Sequence, residues 1–538
     1  MKKKYGSEQS LEFMVSHFYQ KIIIFCIWFA INTTFIVTSI VYMNYWYIFI
    51  VPLSLSTSFN CMSVILIVLY SIKNCIFKKS NDVPNLSTKS IAYLIPCYNE
   101  NEQELKNTIC SLKTQQKLEN NKKVMFIVCD GRVKGPDSEV TTDQVLKHIL
   151  KDDTVSTRFF PNAYKTWTSE YNNVEVLYGI TDNIPFVCMI KDNNVGKRDG
   201  LVLIRSLLYN FNNNIINPDL SDDFENFVKT FMESHVTKVD YIVGTDADTV
   251  FDPLCTFNLL QTIEQDDNTH GVVGFVHVSP DVPKWSIWCI YQFTEYIIAQ
   301  CLRRVQQSIV TNKVSCLSGC VQILRVSEET CGDRILKAFN ALPNEDDNVW
   351  RHILSFASED RNHVCLMLHM YPHVKTRQCL TATAYTIVPT SLAVFRSQRR
   401  RWSLGATGND VLLSYKSGIN LYERIGAIFN VLTYSLSLFI FVATIMFYYS
   451  IFAHPNIIML YLSTIIFVPI LYEICIIFWF PFPNKIDIFR FFVGLIFYLL
   501  FGSIVNITIC VYSLLNVDCF KWGKTRMLNN ESQEQINN

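Results

Sequence analysis

The chain has 538 residues, with 47 Lys+Arg balanced by 47 Asp+Glu, and only 17% of its residues are charged against 50% hydrophobic. A soluble domain usually carries about 25% charge, so these figures exclude a disordered chain and a purely soluble enzyme. Zero net charge supplies no basic face for a nucleic acid. The 18 cysteines are scattered. Several (Cys26, Cys61, Cys475, Cys510) sit inside apolar runs as small hydrophobes, and no C-x-x-C pair or Cys/His zinc spacing accompanies them.

In chain order, the first element is membrane-like. No charged residue occurs from Ile22 to Ile72, a run suited to two spans of about 20 residues each. A division near Asn44 gives 22–43 and 46–72. Lys2, Lys3, Lys4 and Lys21 precede the pair, Lys73, Lys78 and Lys79 follow it, and the turn between carries no Lys or Arg. The N-terminus and the middle region are therefore expected on the cytosolic side.

The middle region holds short apolar runs that end in polar turns. Ser90–Pro96, Lys123–Cys129 and Val239–Gly244 read as buried strands, separated by helical stretches such as Glu100–Gln115 and Gly200–Tyr209. Strand, helix, strand order implies a mostly parallel sheet covered on both faces, with ligands beyond the carboxyl ends of its strands. Those ends carry Asn99-Glu100, Asp130 and Asp246-Ala247-Asp248. Neither G-x-G-x-x-G nor G-x-x-x-x-G-K-[ST] is present, which removes dinucleotide and P-loop readings. The stretch 132–190 carries no assignable motif, and the Asn-rich 210–235 reads as a surface insertion.

Four groups can carry chemistry. Asp246 and Asp248 can hold a hard divalent cation beside phosphate oxygens, although an Asp-rich turn alone would look the same. Lys191–Gly200, with Lys197, Arg198 and Asp199, opens a helix and suits a phosphate or ribose, or is a solvated helix start. Glu359-Asp360-Arg361 offers a carboxylate base beside an acid and a cation, or is a surface cluster. Gln398-Arg399-Arg400-Arg401-Trp402 follows the half-apolar Leu392–Phe395. It suggests an amphipathic interfacial helix whose Arg pairs with diphosphate and whose Trp faces a sugar ring. Anionic lipid would account for the arginines but not for the Gln-x-x-Arg-Trp order.

The C-terminal part is apolar again. Ile425–Tyr472 and Phe491–Val517 contain no Asp, Glu, Lys or Arg, giving spans near 426–452, 457–480 and 491–515. Three full crossings would put Lys521, Lys524 and Arg526 outside, against the charge rule. One segment is therefore expected to lie in the interface, or one long run to cross twice.

Taken together and in order, these motifs resemble the processive family 2 membrane glycosyltransferases, specifically the chitin synthases. The matching segments are Ile95-Pro-Cys-Tyr-Asn-Glu100, Asn194-Val-Gly-Lys-Arg-Asp199, Thr245-Asp-Ala-Asp-Thr249, Ser358-Glu-Asp-Arg361 and Ser397-Gln-Arg-Arg-Arg-Trp402. Trp288–Tyr296 and the Trp-Gly-Lys-Thr-Arg526 tail agree, as does Cys316-Leu-Ser-Gly-Cys320 with Ser318 where Pro is usual.

The resemblance implies an α/β GT-A-type glycosyltransferase domain with a mostly parallel sheet, flanked by transmembrane helices and amphipathic interface helices. Its divisions would be 1–76 (tail and two spans), 77–403 (cytosolic catalytic domain ending in the QRRRW helix) and 404–538 (interface and transmembrane helices with the tail). It implies that Tyr98, Glu100 and Asp130 hold uridine and that Lys197 and Asp199 complete the nucleotide site. Asp248, assisted by Asp246, would bind Mg²⁺ or Mn²⁺. Asp360, beside Glu359, would be the general base, and Gln398, Arg401 and Trp402 would take acceptor sugar and diphosphate. The implied reaction is transfer of GlcNAc from UDP-GlcNAc to a β-1,4 chain, with inversion and export of the polymer. The implied partners are UDP-GlcNAc, a chitin oligomer acceptor and membrane lipid, with a homo-oligomer allowed and no nucleic acid. The expected location is a multi-pass position in the plasma membrane, with the catalytic domain cytosolic. The rival enzyme is a hyaluronan synthase or another processive membrane β-glycosyltransferase. The rival of another class is a non-catalytic, nucleotide-sensing membrane protein, which would not need its carboxylates.

Overall fold

The apolar runs that read as strands do pair with one another. The computed structural model describes residues 11–41, 47–76, 86, 89–135, 139–151, 155–344, 346–453 and 457–519. The N-terminal lysines, Lys78, Lys79, Asn44 and the Trp-Gly-Lys-Thr-Arg tail lie outside the described residues.

Ten strands form one sheet: β1 (Ser90–Cys97), β2 (Lys122–Cys129), β3 (Ser156–Lys165), β4 (Tyr171–Thr181), β5 (Ile184–Lys191), β6 (Tyr241–Gly244), β7 (Thr249–Phe251), β8 (Thr269–Val278), β9 (Gln322–Arg325) and β10 (Lys375–Thr386). Their order is β3-β4-β5-β2-β1-β6-β9-β8-β10-β7. The central strands β5, β2, β1 and β6 run parallel, as the βαβ reading requires, with Leu94 beside Phe126 on one side and Gly244 on the other. The antiparallel β3-β4-β5 meander on one flank and β9 on the other make the sheet mixed.

Helices α1 (Leu11–Val41) and α2 (Tyr47–Ile76) precede the sheet. Within and after it come α3 (Glu102–Lys113), α4 (Thr142–Ile149), α5 (Lys197–Asn213), α6 (Asp222–His235), α7 (Cys255–Ile263), α8 (Ile287–Ala299), α9 (Glu328–Cys331), α10 (Asp333–Phe339), α11 (Val349–Phe356) and α12 (Glu359–Met370). The chain closes with α13 (Leu392–Tyr415), α14 (Leu421–Ser435), α15 (Ser437–Ala453), α16 (Ile457–Trp479) and α17 (Lys485–Leu515).

Alternation along β1 builds two cores, because successive strand side chains point to opposite faces. Ile91, Tyr93 and Ile95 pack with Leu105, Val145 and Leu259 from α3, α4 and α7, whereas Ala92 and Leu94 pack with Leu201 and Phe224 from α5 and α6. Helices thus cover both faces, which explains why the central strands are apolar throughout.

The stretch 210–235 is therefore not a surface insertion. Its second half is α6, whose Phe224, Val228 and Met232 recur every four residues and are buried against the sheet.

Among the described residues, His17–Val41, Thr57–Ile76 and Lys485–Leu515 are long and apolar enough to cross a membrane. The span expected near 426–452 is broken. Its residues fall in α14 and α15, which meet at 83°. Lys21 of α1 also pairs with Asp518 just beyond α17 at 3.1 Å, joining the two ends of the described chain.

Phe224→Ala should lower the stability of the purified protein by about 3–5 kcal/mol. Thermal unfolding checks this, and a surface insertion would leave the midpoint unchanged.

Candidate active site

A cleft of about 1480 Å³ opens at the carboxyl ends of β1, β2 and β6. Of the residues to which the resemblance gave a role, all but Asp199 line it; Arg198, Arg399 and Arg400 do not.

At the end of β1 the chain turns sharply into α3. Glu100 Oε2 accepts the Tyr98 N–H at 2.7 Å, and burial raises the pKa of that carboxyl. Asn101 caps α3 by accepting the Glu104 N–H at 2.9 Å.

At the end of β2 stands Asp130. One of its oxygens is 2.6 Å from Lys191 Nζ and accepts the Val195 N–H at 3.1 Å, while the other accepts the Gly196 N–H at 2.8 Å. Gly196 has φ +101°, a left-handed region that only glycine enters cheaply. Lys191 is fully buried and also meets Asp199 at 3.0 Å, and Asp199 in turn accepts the Tyr164 hydroxyl at 2.5 Å. Burial alone would lower the Lys191 pKa, but Asp199, Tyr164 and Asp130 hold it well above its usual value. Asp199 is thus turned behind the cleft wall, where with Lys191 it fixes the 191–197 loop.

That loop delivers Lys197 into the cleft. Its Nζ lies 2.6 Å from Asp246 and 3.5 Å from Glu359. Burial opposes the charge, yet Asp246, Asp360 and Glu359 raise its pKa well above the usual lysine value.

Asp246-Ala247-Asp248 forms the turn between β6 and β7. It is anchored by the Thr108 hydroxyl donating to the Ala247 carbonyl at 2.9 Å and by the Thr249 N–H donating to the Asp246 carbonyl at 3.1 Å. Both carboxylates reach the cleft. Two hard oxygen donors, with room for phosphate oxygens, fit Mg²⁺ or Mn²⁺, ions that seldom need an all-protein cage.

Ser358, at φ +52°, kinks the chain so that Glu359 and Asp360 begin α12 facing Lys197. Asp360 Oδ2 accepts the Gly319 N–H at 2.8 Å. Oδ1 is buried without a hydrogen-bond partner among the described residues. Burial raises the Asp360 pKa to about 6; Lys197 opposes this, and Glu359 and Asp246 add to it. Glu359 moves the other way, because Lys197 and Arg401 outweigh its burial. A Cβ on Gly319 would stand 2.6 Å from Asp360 Oδ2, so a side chain there would push that carboxylate out of its place.

The three arginines of α13 go to three places. Arg399 meets Glu295 of α8 at 2.5 Å and lies 4.2 Å over the Trp402 ring. Arg400 donates to the Asn516 carbonyl beyond α17 at 3.1 Å. Arg401 faces the cleft with Gln398 and Trp402. Ser358 Oγ donates to the Arg401 carbonyl at 3.3 Å, and Gly405 allows that close approach of α12 and α13. Arg361 meets Asp410 at 2.6 Å, and Asn430 of α14 donates to the same carboxylate at 3.2 Å. These bonds lock α12, α13 and α14 together.

Sequence reasoning gave no role to Lys191, Gly319, Glu295 or Asp410. Lys191 had a signal as a lysine closing the otherwise apolar run of β5, while Glu295 and Gly319 lay inside matched segments without a role of their own.

Comparison with known proteins gives a consistent family. A family model described as "Chitin synthase" matches residues 64–178 and 186–538. The chain is 36% identical to chitin synthase 8 of Gibberella zeae over 511 residues, covering 92% of this chain and 76% of that one. It is 31% identical to chitin synthase 8 of Verticillium dahliae over 455 residues, covering 77% and 72%. Among solved structures, a mannosyltransferase of Pyrobaculum calidifontis in complex with GDP-Man and Mn²⁺ aligns with TM-score 0.43 and 10% identity, over 88% of this chain and 99% of that one.

Lys191→Ala leaves two buried carboxylates without their cation and should destabilise the protein by about 3–5 kcal/mol. A drop in the unfolding midpoint, larger than that of Lys165→Ala on the exposed edge strand, checks this.

Proposed function

The chain belongs to the chitin synthase family of glycosyltransferases, and from that premise we propose that it transfers N-acetylglucosamine from UDP-GlcNAc to the non-reducing 4-hydroxyl of a growing β-1,4 chain. The donor linkage is α and the product linkage β, so a single in-line displacement inverts the anomeric carbon. The acceptor O4 forms the new bond to C1 as the bond from C1 to the UDP oxygen breaks.

Asp360 carries the reading. One of its oxygens is held by Gly319, and the other is buried and unpaired in the same cleft as Asp246, Asp248 and Arg401. A carboxylate so placed takes the proton of the 4-hydroxyl through Oδ1. Lys197 and Arg401 supply positive charge where the diphosphate departs, an electrostatic role of the oxyanion type. A Mg²⁺ or Mn²⁺ ion held by Asp248 and Asp246 would neutralise charge on the same diphosphate. Tyr98, Glu100 and Asp130 frame the uridine end. Trp402, 40% exposed, offers a flat face to the acceptor ring beside Gln398.

The catalytic unit, residues 77–403, would work in the cytosol at the plasma membrane, with polymer leaving between the terminal helices. Arg400 bonded to the end of α17 supports this placement, because it sets the cleft beside the membrane-length helices.

Purified protein in detergent, given UDP-GlcNAc alone with Mg²⁺ or Mn²⁺, should make insoluble polymer that chitinase degrades. A need for UDP-glucuronate would overturn the reading in favour of a hyaluronan-type synthase. Asp360→Asn should lower kcat by about 10²–10⁴-fold while UDP binding by calorimetry stays near wild type; turnover at the wild-type rate would remove Asp360 as the base. The base must be ionised, so kcat should fall as pH drops through about 6, the raised pKa of Asp360, and level off above it.

A further inference from the structure

His270, Glu329 and His373 converge at a place that the reaction does not use; none of them lines the cleft. They come from separate elements: the second residue of β8, the short helix after β9, and the turn that leads into β10. One ligand atom from each lies within 4.8 Å of the other two. His270 Nε2 is 3.3 Å from one Glu329 oxygen, and His373 Nε2 is 3.1 Å from the other. The two rings stand at 78° with centroids 5.9 Å apart, so they are not stacked.

The tautomer of His270 is forced. Its Nδ1 lies 2.8 Å from the Asn268 carbonyl oxygen, which can only accept, so Nδ1 carries the hydrogen. In the neutral ring Nε2 is then a bare lone pair aimed at a carboxylate. That arrangement is repulsive unless a cation stands between. A proton would leave an imidazolium on a residue only 7% exposed, at a cost in desolvation. A metal ion resolves the repulsion and uses the lone pair. A histidine that donates its second nitrogen to a backbone carbonyl is the usual outer support of a metal-bound imidazole. His373 is exposed, leaving solvent access for the ion and for a water ligand. The nearby Arg325 opposes a cation, but its guanidinium is turned toward Glu264 at 3.6 Å and the Thr269 carbonyl at 3.3 Å.

We propose that His270, Glu329 and His373 bind one transition-metal ion of the zinc class, completed by water, and that the ion fastens the turn before β10 to β8 and to the helix after β9. Two imidazoles and a carboxylate select zinc, cobalt, nickel or copper over magnesium and calcium. The site is therefore distinct in chemistry, as well as in place, from the Asp246–Asp248 turn.

The test uses the full chain in detergent, stripped with chelator and titrated with Co²⁺ in excess Mg²⁺. The expected result is one saturable site with visible d–d absorption and no thiolate charge-transfer band. His373→Ala and Glu329→Gln should each weaken Co²⁺ binding more than about tenfold. His373→Cys should keep the ion and add the thiolate band, which ties the ion to this position even if the other variants fold poorly. Zn²⁺ should raise the unfolding midpoint of the wild type and not of His373→Ala. Equal affinity in wild type and His373→Ala, a thiolate band in the wild type, or no saturable binding would each overturn the proposal.

Discussion

A single ammonium group, Lys197 Nζ, stands between Asp246 and Glu359 in the cleft, and the chemistry of the cleft follows from that placement. Asp246, Glu359 and Asp360 all act on Lys197, with Arg401 as the second cation nearby, so these acids cannot all ionise equally. Glu359 takes the benefit of both cations and is held ionised. Asp360, next along the helix, keeps the burden of burial and of its charged neighbours. Two adjacent carboxyl groups thus acquire different roles from position alone, the pattern by which one site holds both a fixed charge and a proton acceptor. The αL turn at Ser358 creates the asymmetry, because it directs Glu359 toward Lys197 and Asp360 toward Gly319.

Behind this stands a second lysine. Lys191 at the end of β5 is wholly buried and grips Asp130 and Asp199 from adjacent elements. It sets the course of the loop that carries Lys197. The parallel order β5-β2-β1-β6 brings these strand ends side by side, so residues far apart in the chain meet on one edge. A buried charge of this kind is expensive to place and costly to disturb. The loop therefore has few alternative paths.

Much of this was legible before any coordinates. β1, β2 and β6 are apolar because they are covered on both faces, and each ends in a polar turn that the cleft uses. The meander β3–β5 was not legible, because β3 is mostly exposed and its polar residues hide the alternation. α6 was masked by the Asn-rich approach to it, although Phe224, Val228 and Met232 held the helical spacing. The break between α14 and α15 falls in an uncharged run where no proline or glycine marks the bend, and Ser435 and Ser437 on either side of Leu436 are too weak a signal to fix it. Within the site, sequence named the carboxylates but not their directions. Asp199 reads as a ligand group beside Lys197, yet at the start of α5 it is aimed at Lys191 and Tyr164.

The arginine run of α13 looks redundant in sequence. On a helix each step of one residue turns by about 100°, so Arg399, Arg400 and Arg401 address α8, the end of α17 and the cleft in turn. The run behaves as a three-way key whose register matters more than its composition. Inserting one residue between Phe395 and Gln398 would keep every charge and send each to the wrong lock. The constraint on this helix is therefore one of length: a residue gained or lost ahead of the arginines displaces all three at once.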